Sequence, residues 1–199
     1  MIESALAEIE AVGPTRLSMR EIARRAGVSH AAPAHHFGDK QGIFTAIATE
    51  GYDLLRSYTD PHLGAPNALL NGGLAYIGFA FRHRAHFEVM FRPDLYDAED
   101  PGLQRARIQS FESLYRAVEQ GLGTEQPDRV MGTAIAAWSA VHGFAALALS
   151  GNFPPHLTEN PDSLASQVVD GLVALGAITR DQASSGLPRM EGFGIDLNS

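Results

Sequence analysis

Cysteine is absent from this chain of 199 residues. That excludes disulfide bridges, thiolate metal sites and a cysteine nucleophile, and it suits the cytoplasm, where the protein is expected to reside. Basic residues are scarce too. Fifteen Lys and Arg stand against 23 Asp and Glu, a net charge of −8, so the surface is not uniformly cationic. No uninterrupted apolar run approaches the roughly 18–20 residues that span a bilayer, and no signal peptide is visible after Met1, so no membrane partner is expected. A nucleophile elbow, a phosphate-cradling glycine loop and an HExxH zinc motif are all missing, so no catalytic residue, metal site or cofactor is assigned. What is present is a 45% hydrophobic chain, apolar enough for a real core.

The distribution of charge says more than its sum. From Pro14 to Gly42, five basic residues (Arg16, Arg20, Arg24, Arg25, Lys40) face two acidic ones (Glu21, Asp39), a net +3 that leaves −11 for the rest. An acidic body with a local basic patch can still dock on DNA, because only the docking face meets phosphates. The same stretch reads as two short helices with a tight glycine turn, running into a third. Ser18 and Glu21 fit a capping box, so a helix starts near Met19. Ile22, Ala23 and Ala26 share its inner face, and Arg20, Arg24 and Arg25 stay in water. Gly27 ends it in the left-handed conformation. Val28 is the expected apolar plug of the turn. Ser29 then caps a second helix over about 29–36, Phe37 faces the core, and Asp39 caps a third helix from Lys40.

Short helix, turn and second helix is the build of a DNA-reading helix-turn-helix, with double-stranded DNA as the partner. The second helix would present Ser29, His30, Ala32, Pro33 and His35 near its start, where base edges are met. It carries no Arg or Lys at its centre. Readout would then rest on Ser29, His30 and His35, with Ala32 against thymine methyl groups. Of the adjacent His35 and His36, one is expected to face DNA and the other to pack. Lys40 and the amides at the start of the third helix can hold a phosphate. Arg16, Ser18, Arg20 and His36 complete the candidate DNA-contacting set.

These residues resemble the DNA-binding domain of the TetR family of transcriptional repressors. The matching runs are Thr15 to Ala23, Ala26 to Ser29 and His36 to Lys40. One departure is Ala34, where the family usually has a Tyr that touches the DNA backbone; Pro33 stands just before it. Pro33 is tolerable in the first turn of a short helix. Ahead of the motif, Ile2 to Val12 forms a supporting helix anchored by Leu6 and Ile9.

Every later segment of length has helical rather than alternating periodicity, so the fold class is all-α. Ile43, Ile47, Leu54 and Tyr58 stripe a long helix to Thr59. Leu70, Leu74, Ile77 and Phe81 stripe the next. Ala85 to Phe91 forms a short one, and an acidic loop follows from Asp94 to Asp100. Phe111, Leu114, Tyr115, Val118 and Leu122 stripe another. Pro127 opens a helix to about Leu149, and Asn160-Pro161 caps and opens the last. The expected organisation is a helix-turn-helix domain over 1–45, a helical effector-binding and dimerisation domain over 46–183 and a loose tail over 184–199. In that tail Phe193, Ile195 and Leu197 could dock on the body.

Trp138-Ser139-Ala140-Val141-His142-Gly143 resembles the Trp-His-Gly signature of one subgroup of TetR-type C-terminal domains, and His86-Phe87 to Met90-Phe91 resembles a segment of it. The resemblance implies a dimeric, ligand-sensing body whose last two helices, about 128–149 and 162–176, form the interface. Trp138 and His142 are four apart and share a helix face. A pocket for an apolar effector needs such a mix of aromatic surface and one polar group. Its candidate lining is Phe87, Met90, Phe91, Phe111, Tyr115, Trp138 and His142, against the plainer reading that these residues are core. His83 and His86 have helical spacing, but no acidic third ligand is fixed by sequence. A helical enzyme using His142 or His86 lacks a base–nucleophile pair. The function that emerges is a ligand-responsive, homodimeric transcriptional regulator, expected to be a repressor of a near-palindromic operator and released by a small effector. The alternative is a helical small-molecule-binding protein without operator binding.

Overall fold

The computed structural model describes residues 1–123, 126–154 and 160–183. Among them all regular structure is helical: α1 (Ile2–Val12), α2 (Met19–Ala26), α3 (Ala32–Phe37), α4 (Lys40–Thr59), α5 (Ala68–Arg82), α6 (Arg84–Met90), α7 (Pro101–Leu122), α8 (Pro127–Leu149) and α9 (Pro161–Ala183). The tail from 184 onward, with its expected docking of Phe193, Ile195 and Leu197, lies outside the described residues.

Local chemistry sets most boundaries. The Ser18 side chain accepts the Glu21 amide at 3.4 Å and starts α2. Gly27, at φ 66°, ends it. The Gly27 and Val28 amides turn back to the carbonyls of Arg24 and Ala23, the paired bonds of a Schellman close. Asp39 caps α4 through the Gly42 amide at 2.9 Å, Asp100 caps α7 through the Leu103 amide at 2.9 Å, and Asn160 caps α9 through the Ser163 amide at 3.0 Å. Gly42 has a second duty. A Cβ there would overlap the Phe37 carbonyl, so the close seating of α4 under α3 requires glycine.

Three expectations need correction. The second helix of the motif starts at Ala32, not Ser29, and Ser29 does not cap it. Pro33 is the reason. A helix begun at Ser29 would ask the missing Pro33 N–H to bond the Ser29 carbonyl. That carbonyl instead accepts the Ala32 amide at 3.0 Å, and Pro33 falls in the first turn. Val28 does not plug the turn; it is exposed. Finally, α8 is long and apolar enough to cross a bilayer by length and composition, with 23 residues and an 18-residue stretch of mean hydropathy 1.4. Its hydropathy comes from many Ala residues rather than from an unbroken bulky run. Only 28% of that span is buried in the protomer. One side, with Val130, Ala134, Val141, Phe144 and Ala145, packs inward.

The larger of two buried clusters joins the N-terminal helices to the body. Ala5, Ile9 and Ile22 of the N-terminal helices, Ile43 and Ile47 of α4, and Phe79, Met90 and Phe144 further on form one buried cluster. Each fully buried Ile or Phe contributes about 1.5–3 kcal/mol, so this continuity binds the small N-terminal bundle to the body. The α4 helix is the shared strut: it packs on α1 and α3 at one end and on α5, α6 and α7 along its length.

Candidate nucleic-acid interface and ligand cavity

The helix-turn-helix is clamped to α1 by charge. Glu8 is buried, and its carboxylate meets Arg25 at 2.9 Å. Arg25 also reaches Glu21 at 3.2 Å, and Glu21 pairs with Arg24. The Arg24 guanidinium holds the Glu21 carboxyl below its usual range, while desolvation opposes the shift. A buried carboxylate needs its cation, so this network orients α2 on α1 more than it adds net stability. It also removes Arg24 and Arg25 from the pool of unpaired cations.

The remaining candidates fall into two groups. Arg16, Arg20, Ser29, His30, His35 and His36 are exposed, and Ser18, Ala32 and Lys40 are half-buried. Pro33 is not available to DNA: it is fully buried on the inner side of α3. The rigid ring that shortens the helix also fills its inner side. His36 does not pack inward as its partner His35 faces out; both are exposed, and His36 sits edge-on to Phe37 at 4.5 Å. Lys40 donates to the Thr15 carbonyl at 3.2 Å, which ties the start of α4 to the turn before α2. Arg16 donates to the Val12 carbonyl at 2.9 Å and stays exposed.

The body holds a cavity of about 1360 Å³ between α4, α5, α7, α8 and α9. Ile108, Trp138 and Val173 line it and are themselves exposed, so it opens to the surface. Of the residues expected to line a pocket, Phe91, Phe111 and Trp138 are on its wall. Phe87, Met90, Tyr115 and His142 are not. Phe87 and Met90 are core, and Tyr115 packs on the cluster of Val118, Val130 and Ala134. The wall contains residues that sequence reasoning passed over, chiefly Tyr52 and Leu55 of α4, Tyr76 of α5 and Arg107 of α7. No motif marks them. They lie on helices whose order in space is not encoded by local pattern.

His142 stands one layer behind the wall. Its Nδ1 is 2.9 Å from the Tyr76 hydroxyl, and its ring meets Phe91 edge-on at 4.4 Å. Trp138 Nε1 donates to the same hydroxyl at 3.3 Å. Indole can only donate, so the Tyr76 oxygen accepts from Trp138, while the direction of its bond to His142 Nδ1 follows the imidazole tautomer. Burial lowers the His142 pKa, which favours the neutral ring. Burial likewise pushes the Tyr76 phenol up, against the indole hydrogen bond. Tyr52 donates to the Met90 carbonyl at 3.3 Å, and burial raises it to about 12 while Arg107 pulls the other way. The two other histidines of note are satisfied locally: His83 Nε2 lies 2.9 Å from the Tyr58 hydroxyl, and His86 Nε2 lies 3.1 Å from Glu50. Among the described residues no group of three ligating side chains could hold a metal ion.

Comparison with known proteins assigns both halves. Residues 1–47 match the family model described as "Bacterial regulatory proteins, tetR family". Residues 69–172 match the one described as "Tetracyclin repressor-like, C-terminal domain". No curated protein matches the sequence significantly. Among solved structures, a protein of unknown function from Rhodococcus sp. RHA1 is similar, with a TM-score of 0.68 and 28% identity over 85% of this chain and 90% of the other. A tetR-family transcriptional regulator from Streptomyces coelicolor has a TM-score of 0.67 and 23% identity, covering 92% of this chain and 82% of its own. The TetR-family regulator PfmR of Thermus thermophilus has a TM-score of 0.64 and 22% identity, covering 85% of this chain and 94% of its own. A helix-turn-helix head and a cavity-bearing helical body, each matched over its own stretch of sequence, thus lead to one conclusion: this chain belongs to the TetR family of DNA-binding transcriptional regulators.

Proposed function

We propose that the protein is a repressor that grips a near-palindromic operator as a homodimer and is released when a small, largely apolar effector fills the body cavity. One observation carries this reading. The α4 helix starts against the helix-turn-helix, and its distal half supplies Tyr52, Leu55 and Thr59 to the cavity wall. A molecule in the cavity therefore touches the strut that sets the angle of the head. It alters DNA affinity only to the extent that it binds one setting better than the other.

In this proposal residues 1–45 act as the head and 46–183 as the sensing and pairing body. Ser29, His30, Ala32 and His35 read base edges, whereas Arg16, Ser18, Arg20, His36 and Lys40 hold the phosphate backbone. Pairing uses α8 and α9, over about 128–149 and 162–176. Met131, Ile135, Ser139, Gly143 and Leu147 recur every fourth residue along α8, and the three large apolar members are exposed. Space around Gly143 is open, and Val173 of α9 is exposed as well. A two-fold pairing through such a face predicts half-sites related by symmetry, with heads about 34–36 Å apart for adjacent turns of DNA. A DNA partner in turn puts the protein in the cytoplasm.

The test is fluorescence anisotropy on a labelled duplex from the protein's own upstream region, with and without candidate apolar compounds. One dimer per site, and release by a compound that binds the body, are expected. Affinity no better than for unrelated duplex would remove the operator and leave a helical small-molecule-binding protein.

A further inference from the structure

We propose that the effector is an apolar molecule bearing a carboxylate, and that Arg107 is the residue that selects it. This rests on the cavity being the effector site. The cavity wall is mainly aliphatic and aromatic, from Leu55, Phe91, Phe111 and Trp138 to Val141 and Leu172. Arg107 is the one basic side chain among the residues that line it. Arg56 is paired with Asp53 and Asp60, Arg84 with Glu88 and Arg92 with Asp94, and the other arginines of α7, Arg105 and Arg116, do not line the cavity. Arg107 has no such partner among the described residues. Its near neighbour is the neutral phenol of Tyr52.

Several other polar groups on the wall are already used. The Tyr76 hydroxyl is taken by Trp138 and His142. The Gln104 amide donates to the Ala98 carbonyl and to Glu99, both at 3.3 Å. The Thr59 hydroxyl donates to the Leu55 carbonyl at 3.3 Å. A guanidinium has five N–H donors in a planar fork that fits a carboxylate with two parallel bonds, and a neutral phenol leaves most of them free. Ser110 lies three residues on, on the same side of α7, and also lines the cavity. Glu112, the one acidic residue of the wall, is carried well round α7 from Arg107 by its five-residue spacing. The cavity thus has a mainly apolar wall that carries one cation, Arg107, which is exposed where the cavity opens to solvent. A cationic or neutral apolar molecule would leave that cation unpaired or repelled, while a carboxylate pairs with it.

The chain carries a single tryptophan, and it stands on the cavity wall, so its emission reports occupancy without a label. The experiment titrates decanoate and decanol into the full chain and into Arg107→Gln and Arg107→Lys variants, following Trp138 fluorescence. Decanoate should bind at least about tenfold more tightly than decanol, as charge-assisted hydrogen bonds predict. Arg107→Gln should abolish that preference with decanol binding unchanged, and Arg107→Lys should keep part of it. Equal binding of acid and alcohol, or a preference that survives in Arg107→Gln, overturns the assignment and leaves the cavity as a neutral apolar site. No response to either compound overturns the effector cavity itself.

Discussion

The Tyr76 hydroxyl is the point where the cavity wall is fastened to the layer behind it. It takes the Trp138 N–H at 3.3 Å and bonds His142 at 2.9 Å, inside a set of rings that includes Phe87 and Phe91. Removing only that oxygen leaves a half-buried imidazole nitrogen and an indole N–H without their shared partner. Tyr76→Phe should cost about 0.5–1.5 kcal/mol, the usual net worth of a hydrogen bond whose partners water can still reach. Urea unfolding would measure the loss. Because Trp138 is the sole tryptophan, its emission should shift in the folded variant as well. An unchanged spectrum with wild-type stability would mean that the bond is incidental. The Trp138–His142 spacing is legible in the sequence as a shared helix face. That a tyrosine from α5, 62 residues before Trp138, closes the triangle is not.

At the scale of elements, α8 poses the main question. Its inner side is core, and its outer side shows Met131, Ile135 and Leu147 to solvent in a single protomer. Exposed apolar residues at regular helical spacing, on a helix apolar enough for a membrane, call for a covering surface. If that surface is the same helix of a second copy, a charge at its centre should split the pair. Ile135 is 50% exposed, so Ile135→Asp should leave the protomer folded. Light scattering should then show a monomer, and operator affinity should fall on the order of 100-fold as the second head ceases to bind in tandem. A variant that stays dimeric would move the interface elsewhere. Elements with strong end signals were readable in advance. Ser18, Gly27, Asp39, Pro127 and Asn160-Pro161 mark their boundaries through bonds or torsions that involve only neighbouring residues. The start of α3 was not, because Ser29 and Pro33 send conflicting signals and the missing amide prevails.

For the whole molecule, the balance of charge decides how it meets DNA. The net +3 of the motif looks like five available cations less two carboxylates spread evenly. The fold distributes them otherwise: Glu8 and Glu21 engage Arg25 and Arg24, which leaves Arg16, Arg20 and Lys40 for phosphates. Three contacts per head, or six per dimer, predict that log affinity falls with log salt at a slope of about −5. Anisotropy across a salt series checks this. A slope near about −9 would mean that Arg24 and Arg25 leave their carboxylates on binding, and a flat dependence would argue against phosphate-led docking. Long-range repulsion between the acidic body and the DNA phosphates should keep non-specific binding weak.

The amino-acid sequence by itself determined the all-α class, the helix-turn-helix and nearly every helix boundary. Those features depend on spacing within a turn or two, on capping side chains and on the fixed torsions of Gly and Pro, all of which are local. Tertiary structure alone decided which side chains share the cavity. It put Tyr52, Tyr76 and Arg107 on the wall, and it sent Phe87, Met90 and His142 behind it. It also buried Pro33 and paired two of the five cations of the head. These outcomes follow from how whole helices cross one another, and a helix's own periodicity says which face is apolar but not which neighbour that face will meet.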